Sequence, residues 1–277
     1  MKGRSALDAY EKSGVWWETS ISDIKKNSIR MRGYPIEELI GNVSYAQMLY
    51  LLLCGELLDA RKAFLLECVL VAGADHGPRA PSIAAARMAA TCGISFNSAV
   101  ATGINVLGDS HGGAAEKAMN LFYTVHRDAS KHPDAPLFAI VEKHFDLLQH
   151  AGEKLSGYGH QLHDDDPRVK KLFVVAEQLV DEGVIDGWYL EISKLFLQVL
   201  EQRKGKKMTM NIDGVSAAIQ CELEIPAESA KGVFALSRGM GVVAHAYEEL
   251  KNGVLVKGPC PNSEDLVKYS GAALRHL

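Results

Sequence analysis

Three histidines of this 277-residue sequence stand beside glycines or a proline where the local pattern breaks. They lie in Asp75-His76-Gly77-Pro78, Ser110-His111-Gly112-Gly113 and Gly157-Tyr158-Gly159-His160. Loops carried on a rigid scaffold are where reactive groups tend to lie. A neighbouring glycine lets backbone amides approach a ligand closely. His111 directly precedes a predicted helix, where free amides and the helix dipole disfavour imidazolium, so a neutral hydrogen-bond donor is expected there. Each histidine could instead pack locally and close a turn. Three such settings in one helical chain move the balance toward chemistry.

Asp213, in Asn211-Ile212-Asp213-Gly214, opens a strongly apolar helix. Aspartate is a good N-cap, and that is the competing reading to a carboxylate base in an apolar pocket. Arg168 and Arg238 head further helices or turns. Arg238 is set among Leu236, Gly239, Met240 and Gly241, where a guanidinium needs an anion or a wet cleft. His160 and His163, followed by Asp164, Asp165 and Asp166, have spacing that can bind zinc. Gly157, Gly159 and Pro167 argue against a continuous helix there, and no third firm ligand is evident, so no metal is expected. The sequence has no Walker loop and no GxGxxG after a strand.

These groups need positioning elements, and the pattern predicts mostly helices. Thr19–Met31 alternates polar and apolar residues and breaks at Lys25-Lys26-Asn27, which reads as a short hairpin. Helices are expected from Pro35, over Tyr45–Cys54 behind a Ser44 cap, over Arg61–Ala72, from Pro81, over Ser95–Gly108, Gly112–Asp128, Ala135–Leu155, Arg168–Glu182, Trp188–Arg203 and Asn211–Leu223. A helix or helix pair follows Pro226 to Leu250, interrupted around Gly239–Gly241, and the tail from Lys257 is expected to be extended. The helices from Pro81 and Ser95 carry Ala, Gly and Ser where bulkier residues usually sit, so their axes can approach closely at the centre or at a subunit contact.

Composition narrows the class. Hydrophobic residues are 47% and charged residues 23%, as in an ordinary globular protein rather than a rod, a collagen or a disordered tail. A net charge of -4 gives no reason to expect nucleic acid or an anionic membrane as partner. No apolar run is long enough for a span, and the N-terminal residues lack a hydrophobic signal core. Five cysteines without CxxC spacing disfavour disulfides and zinc ribbons, which fits a reducing cytoplasm.

Six ordered blocks of the chain resemble the citrate synthase superfamily. They are IRMRGYPIEELIG with LLLCGELL, ADHGPRAPSIAAARMAATCG, SAVATGINVLGDSHGGAAEKAM, SGYGHQLHDDDPR, MNIDGVSAAIQCELEIP and FALSRGMGVVAHAYEEL. The resemblance implies an all-α, two-lobed homodimer with a short N-terminal β-hairpin. Residues 1–110 and 214–277 would form the large domain, and 111–213 a smaller lobe closing over the ligands. It implies a catalytic trio at His111, His160 and Asp213. It places His76, Arg168 and Arg238 on the carboxylates and carbonyl of the acid, and Gly157, Gly159 and Asn211 near coenzyme A. The coenzyme A thioester is then a substrate, with no tightly bound cofactor.

The details WWETS, DHGP and GDSHGG look most like the citryl-CoA lyase branch, similar to the C-terminal module of ATP-citrate lyase. The expected activity is cleavage of citryl-CoA, or an analogue such as citramalyl-CoA, to acetyl-CoA and a 2-oxo acid. A citrate or 2-methylcitrate synthase is the alternative, and a non-catalytic dimeric binding protein is the alternative of another class. Three departures stand out. Much of the N-terminal extension of full-length synthases has no counterpart. Gln161 follows His160 where many relatives have Arg, in a loop one residue shorter than usual. Lys257 stands where relatives usually carry an Arg-Pro pair whose arginine reaches a carboxylate in the partner subunit, and a lysine lacks the bidentate fork.

Overall fold

A computed structural model describes residues 14–160 and 162–277, and of Glu264 the backbone alone. The N-terminal residues read for a signal core and Gln161 lie outside the described residues. Two compact units meet in sequence between Glu67 and Cys68.

The first unit carries the expected hairpin. Strands β1 (Ser22–Lys25) and β2 (Ser28–Met31) pair antiparallel, with Ser22 opposite Met31. Asn27 takes the left-handed conformation at the turn, which asparagine tolerates. A third strand, β3 (Tyr34–Pro35), extends this pair to a three-stranded sheet. The Arg32 guanidinium donates to Leu52 O at 2.8 Å and to Ser20 Oγ at 2.8 Å, tying the sheet edge to the next helices. These are α1 (Ile36–Leu39) and α2 (Tyr45–Cys54). Ser44 and Gln47 form a reciprocal capping box at the start of α2, and left-handed Gly55 ends it.

Helix α3 (Ala60–Gly73) runs across the unit boundary. The second unit continues with α4 (Pro81–Ala90), α5 (Phe96–Asn105), α6 (Ala114–Lys131), α7 (Leu137–His150), α8 (Pro167–Asp181), α9 (Trp188–Lys204), α10 (Ile212–Glu222) and α11 (Ala230–Asn252). The fold is all-α apart from the small sheet. Residues Ala86, Ala90, Ala99, Val242 and Ala246 form a core shared by α4, α5 and α11. A Cβ on Gly103 would lie 2.7 Å from Val242 Cγ1 and 2.8 Å from Ser82 O, so the small residues do permit close helix approach.

Some boundaries differ from expectation. Helix α5 stops at Asn105, because Gly108 and His111 exchange backbone hydrogen bonds in a tight loop. Helix α7 ends at His150, ahead of left-handed Gly152. Helix α11 is continuous through Gly239 and Gly241. Gly241 is there for contact and not for a break: a Cβ would meet Ala74 O and lie 2.9 Å from Asp75 Oδ1. The tail after Lys257 is irregular, with a 3₁₀ turn at Glu264–Leu266. The lobe division expected from the resemblance, 111–213 against the rest, passes through the second unit.

Candidate active site

All six chemistry-bearing side chains belong to the second unit. The loop after α3 presents His76. Asp75 Oδ1 accepts from Gly77 N at 3.2 Å, and Ala80 N donates to Gly77 O at 3.0 Å. Pro81 then occupies the first turn of α4, where its missing N–H costs nothing. The next amide, Ser82 N, has no partner within its own helix turn and donates to His111 Nε2 at 3.3 Å. The Ser82 hydroxyl lies 3.0 Å from the same nitrogen. A lone pair that receives an amide leaves the ring proton on Nδ1. In this arrangement the His111 ring is neutral with its proton on Nδ1, and the amide that sets the tautomer belongs to α4.

The second loop is bound to the start of α10 by Asn211. Asn211 Oδ1 accepts from Asp213 N at 3.0 Å and Gly214 N at 3.3 Å, and Nδ2 donates to Gly159 O at 2.8 Å. Asn211 N donates to Gly157 O at 3.0 Å. Asn211 is thus the N-cap, and the competing reading of Asp213 as a cap fails. Gly157 lies against Gly214, where a Cβ would come 2.6 Å from Gly214 Cα. The two glycines let the His160 loop and the Asp213 helix touch through their backbones.

A cavity of about 620 Å³ is the meeting place: His76, His111, His160, Arg168, Asp213 and Arg238 all line it. Gly159 and Asn211 line it as well, while Gly157 stands behind as packing. Burial pushes the Asp213 carboxyl above its ordinary value, against the pull of Arg238 and Arg168. Its Oδ1 is buried without a hydrogen-bond partner among the described residues. Burial lowers the imidazoles of His76, His111 and His160, helped by Arg168 at His76, Arg238 at His111 and His163 at His160. All three stay neutral more readily than a free imidazole.

The arginines are held rigidly. Asp166 accepts from Arg168 Nε at 3.0 Å and from Nη2 at 2.6 Å, which leaves Nη1 buried without a partner among the described residues. Burial works against ionising Asp166, but these hydrogen bonds prevail and hold its carboxyl below the usual range. Arg238 Nε donates to Gly73 O at 2.9 Å, and its guanidinium lies 4.9 Å from the Phe234 ring centroid. An orphaned guanidinium donor and an orphaned carboxyl oxygen in one cavity describe a site built for a polar ligand.

His76 supplies the third imidazole that the metal reading of His160 and His163 lacked: one nitrogen from each ring lies within 4.8 Å of the others. The tautomer weighs against a metal. His160 Nδ1 accepts from Leu162 N and His163 N, both at 3.0 Å. Its proton is then on Nε2, so His160 has no free lone pair for an ion. The same bonds make its free nitrogen a donor.

Sequence reasoning missed Ser82, Asp166 and Arg79, which lines the same cavity. Ser82 is 29 residues from His111 and carries no local signal. Arg79 had one, an arginine between Pro78 and Pro81 just beyond His76.

The family described as citrate synthase, C-terminal domain, matches residues 12–64 and 58–258. The chain belongs to the citrate synthase family. Its structure is similar to citryl-CoA lyase from Hydrogenobacter thermophilus, with 34% identity, a TM-score of 0.82 and coverage of 94% of this chain and 97% of that one. It is also similar to the citrate synthase of Thermoplasma acidophilum in ternary complex with carboxymethyl coenzyme A and oxaloacetate (25% identity, TM-score 0.66, 84% of this chain and 58% of that one). Haloferax volcanii citrate synthase is 28% identical over 91% of this chain and 68% of its own length. A putative citrate synthase 2 of Mycobacterium tuberculosis is spanned over only 55% of its length.

Proposed function

We propose that this family member is a carbon–carbon lyase that cleaves citryl-CoA, or a close analogue such as citramalyl-CoA, to acetyl-CoA and a 2-oxo acid. The observation that carries the reading is the convergence of His111, His160 and Asp213 on one cavity. Likeness to a citryl-CoA lyase over nearly the whole of both chains supports cleavage as the direction.

Breaking the bond between the thioester methylene and the hydroxyl-bearing carbon passes through a thioester enolate. The neutral Nδ1–H of His111 stabilises the enolate oxygen, a preorganised donor that needs no reorganisation. Asp213, whose carboxyl is raised by burial, supplies the proton that turns the enolate into a methyl group. His160 donates through Nε2–H to the oxygen on the other carbon. For His160 to take the hydroxyl proton as well, the Leu162 and His163 amides must release Nδ1 and the tautomer must shift. Substrate-driven release of those two amides is therefore part of the proposal. Arg168 and Arg238 hold the carboxylate end, and His76 holds the oxo group. The coenzyme A thioester is the substrate, with Gly159 and Asn211 at its edge of the cavity. We place the protein in the cytoplasm as a homodimer whose 111–213 lobe closes over the ligands.

A citrate synthase is the second reading, supported by the Haloferax volcanii relative. The test is to incubate the purified protein with citryl-CoA, with citramalyl-CoA, and with acetyl-CoA plus oxaloacetate. Release of oxo acid with intact acetyl-CoA supports the lyase. Citrate with free thiol supports the synthase, and inactivity on all three overturns both.

A further inference from the structure

We propose that Arg79 is the residue that makes this cavity select an acid with two carboxylates, so that the released oxo acid is oxaloacetate-like rather than pyruvate-like. The inference rests on the lyase reading and names the substrate class of that same site. It starts from the charges around the cavity. Arg168 already faces a full negative charge, bound by two nitrogens to Asp166. Its remaining Nη1 can donate to a ligand but adds no uncompensated charge. Arg238 is the buried cation left over, with Asp75 and Asp213 as the carboxylates that act on it. Asp75 Oδ2 is taken up by His245 Nε2 at 3.2 Å, and Asp213 is held toward its neutral form by burial, so Arg238 can match one carboxylate of a bound acid. A second carboxylate entering the same space needs another cation, because an unpaired anion leaving water pays several kcal/mol.

Arg79 is that cation. It lines the cavity, is exposed to it, and makes no hydrogen bond or ion pair with any described residue. Lys257, the other basic residue considered for the role, lies with its ammonium 3.6 Å from the buried Glu249 carboxylate. The backbone under Arg79 is fixed: Gly77 is left-handed, Gly77 O accepts from Ala80 N, and Pro78 and Pro81 flank it with locked φ. The stiff loop fixes the point from which this planar fork reaches into the cavity. It stands three residues from His76, so the carbonyl contact and the added carboxylate contact come from one turn.

Citryl-CoA and citramalyl-CoA differ by this one carboxylate, which makes them the test pair. Arg79→Gln is expected to lower kcat/KM for citryl-CoA by roughly 10- to 100-fold, the effect of losing a charged hydrogen-bond partner. For citramalyl-CoA the change should stay within about twofold, and Arg79→Lys should restore part of the citryl-CoA loss. An equal loss on both thioesters would show that Arg79 serves the coenzyme A portion, and no loss on either would show that it serves neither; both overturn the proposal. Calorimetry with oxaloacetate and pyruvate on the resting protein separates this question from turnover. Wild type should prefer oxaloacetate, and Arg79→Gln should erase the preference. If wild type cleaves neither thioester, the lyase reading fails while this ratio still decides the role of Arg79. Absence of a preference in wild type overturns the selectivity proposal.

Discussion

His111 Nε2 lies 3.3 Å from the Ser82 backbone nitrogen, which donates to it, and 3.0 Å from the Ser82 hydroxyl, so the first turn of α4 brings both polar groups of one residue to this ring nitrogen. Protonating that nitrogen would set an N–H against an N–H. The imidazole is thereby kept neutral and its Nδ1–H free for a developing negative oxygen. His111→Ala should lower kcat on the thioester by about 10² to 10³, the usual cost of one such donor. Ser82→Ala keeps the amide and should cost far less, about tenfold or below. Steady-state kinetics on both variants checks the ordering; equal losses would contradict it.

His160 should also prove essential, but with a different signature. His160→Ala is expected to lower kcat by roughly 10² to 10⁴. Because burial and His163 lower the His160 pKa, and burial and Arg238 lower that of His111, the acid limb of the wild-type rate profile should fall below the ordinary imidazole value of 6.5. An acid limb above 6.5 would mean that neither ring has the state assigned to it.

Asp213 should reveal itself in stability as well as rate. Its folded pKa lies above the ordinary 3.8, so the folded protein holds a proton more tightly than the unfolded chain. Stability from this group is then full below 3.8 and declines as pH rises through the folded pKa. Asp213→Asn removes that penalty. The variant should lose turnover yet melt higher than wild type at neutral pH, with the gain shrinking as pH falls toward 4. Thermal melts across pH read the sign directly.

In the proposed reaction Arg238 serves binding rather than bond breaking. Arg238→Lys removes the Nε bond to Gly73 O and the planar fork. KM should rise by about tenfold or more while kcat changes less. An unchanged KM would remove Arg238 from the carboxylate contact.

Much of this site could be read from the chain before its shape was known, and the reasons are local. His76, His111 and His160 are flanked by glycines that take left-handed backbone at Gly77, Gly112 and Gly159, so backbone demand and chemistry coincide in sequence. The hairpin at Asn27 and the cap at Ser44 are likewise short-range and were legible. What stayed hidden depends on distance. The Ser82–His111 bond joins the first turn of α4 to the loop before α6, and the Arg168–Asp166 pair has no signature in an acidic run whose residues look alike. Gly239 and Gly241 were misread as a break because sequence does not distinguish a glycine that ends a helix from one that admits a neighbouring backbone. The capping reading of Asp213 stayed open in the sequence, since Asn211 and Asp213 have similar capping propensity and only the geometry separates them.

Asn211 uses both ends of one carboxamide: the oxygen caps the helix that carries Asp213, and the nitrogen clasps the carbonyl beside His160. Spontaneous hydrolysis of that amide during ageing or heating would leave the cap intact, because a carboxylate also accepts from amides. The clasp would turn into repulsion between two oxygens. Thermal inactivation of this protein can thus proceed by a one-atom change that leaves the helices standing, and its trace would be a mass gain of about one dalton at this position.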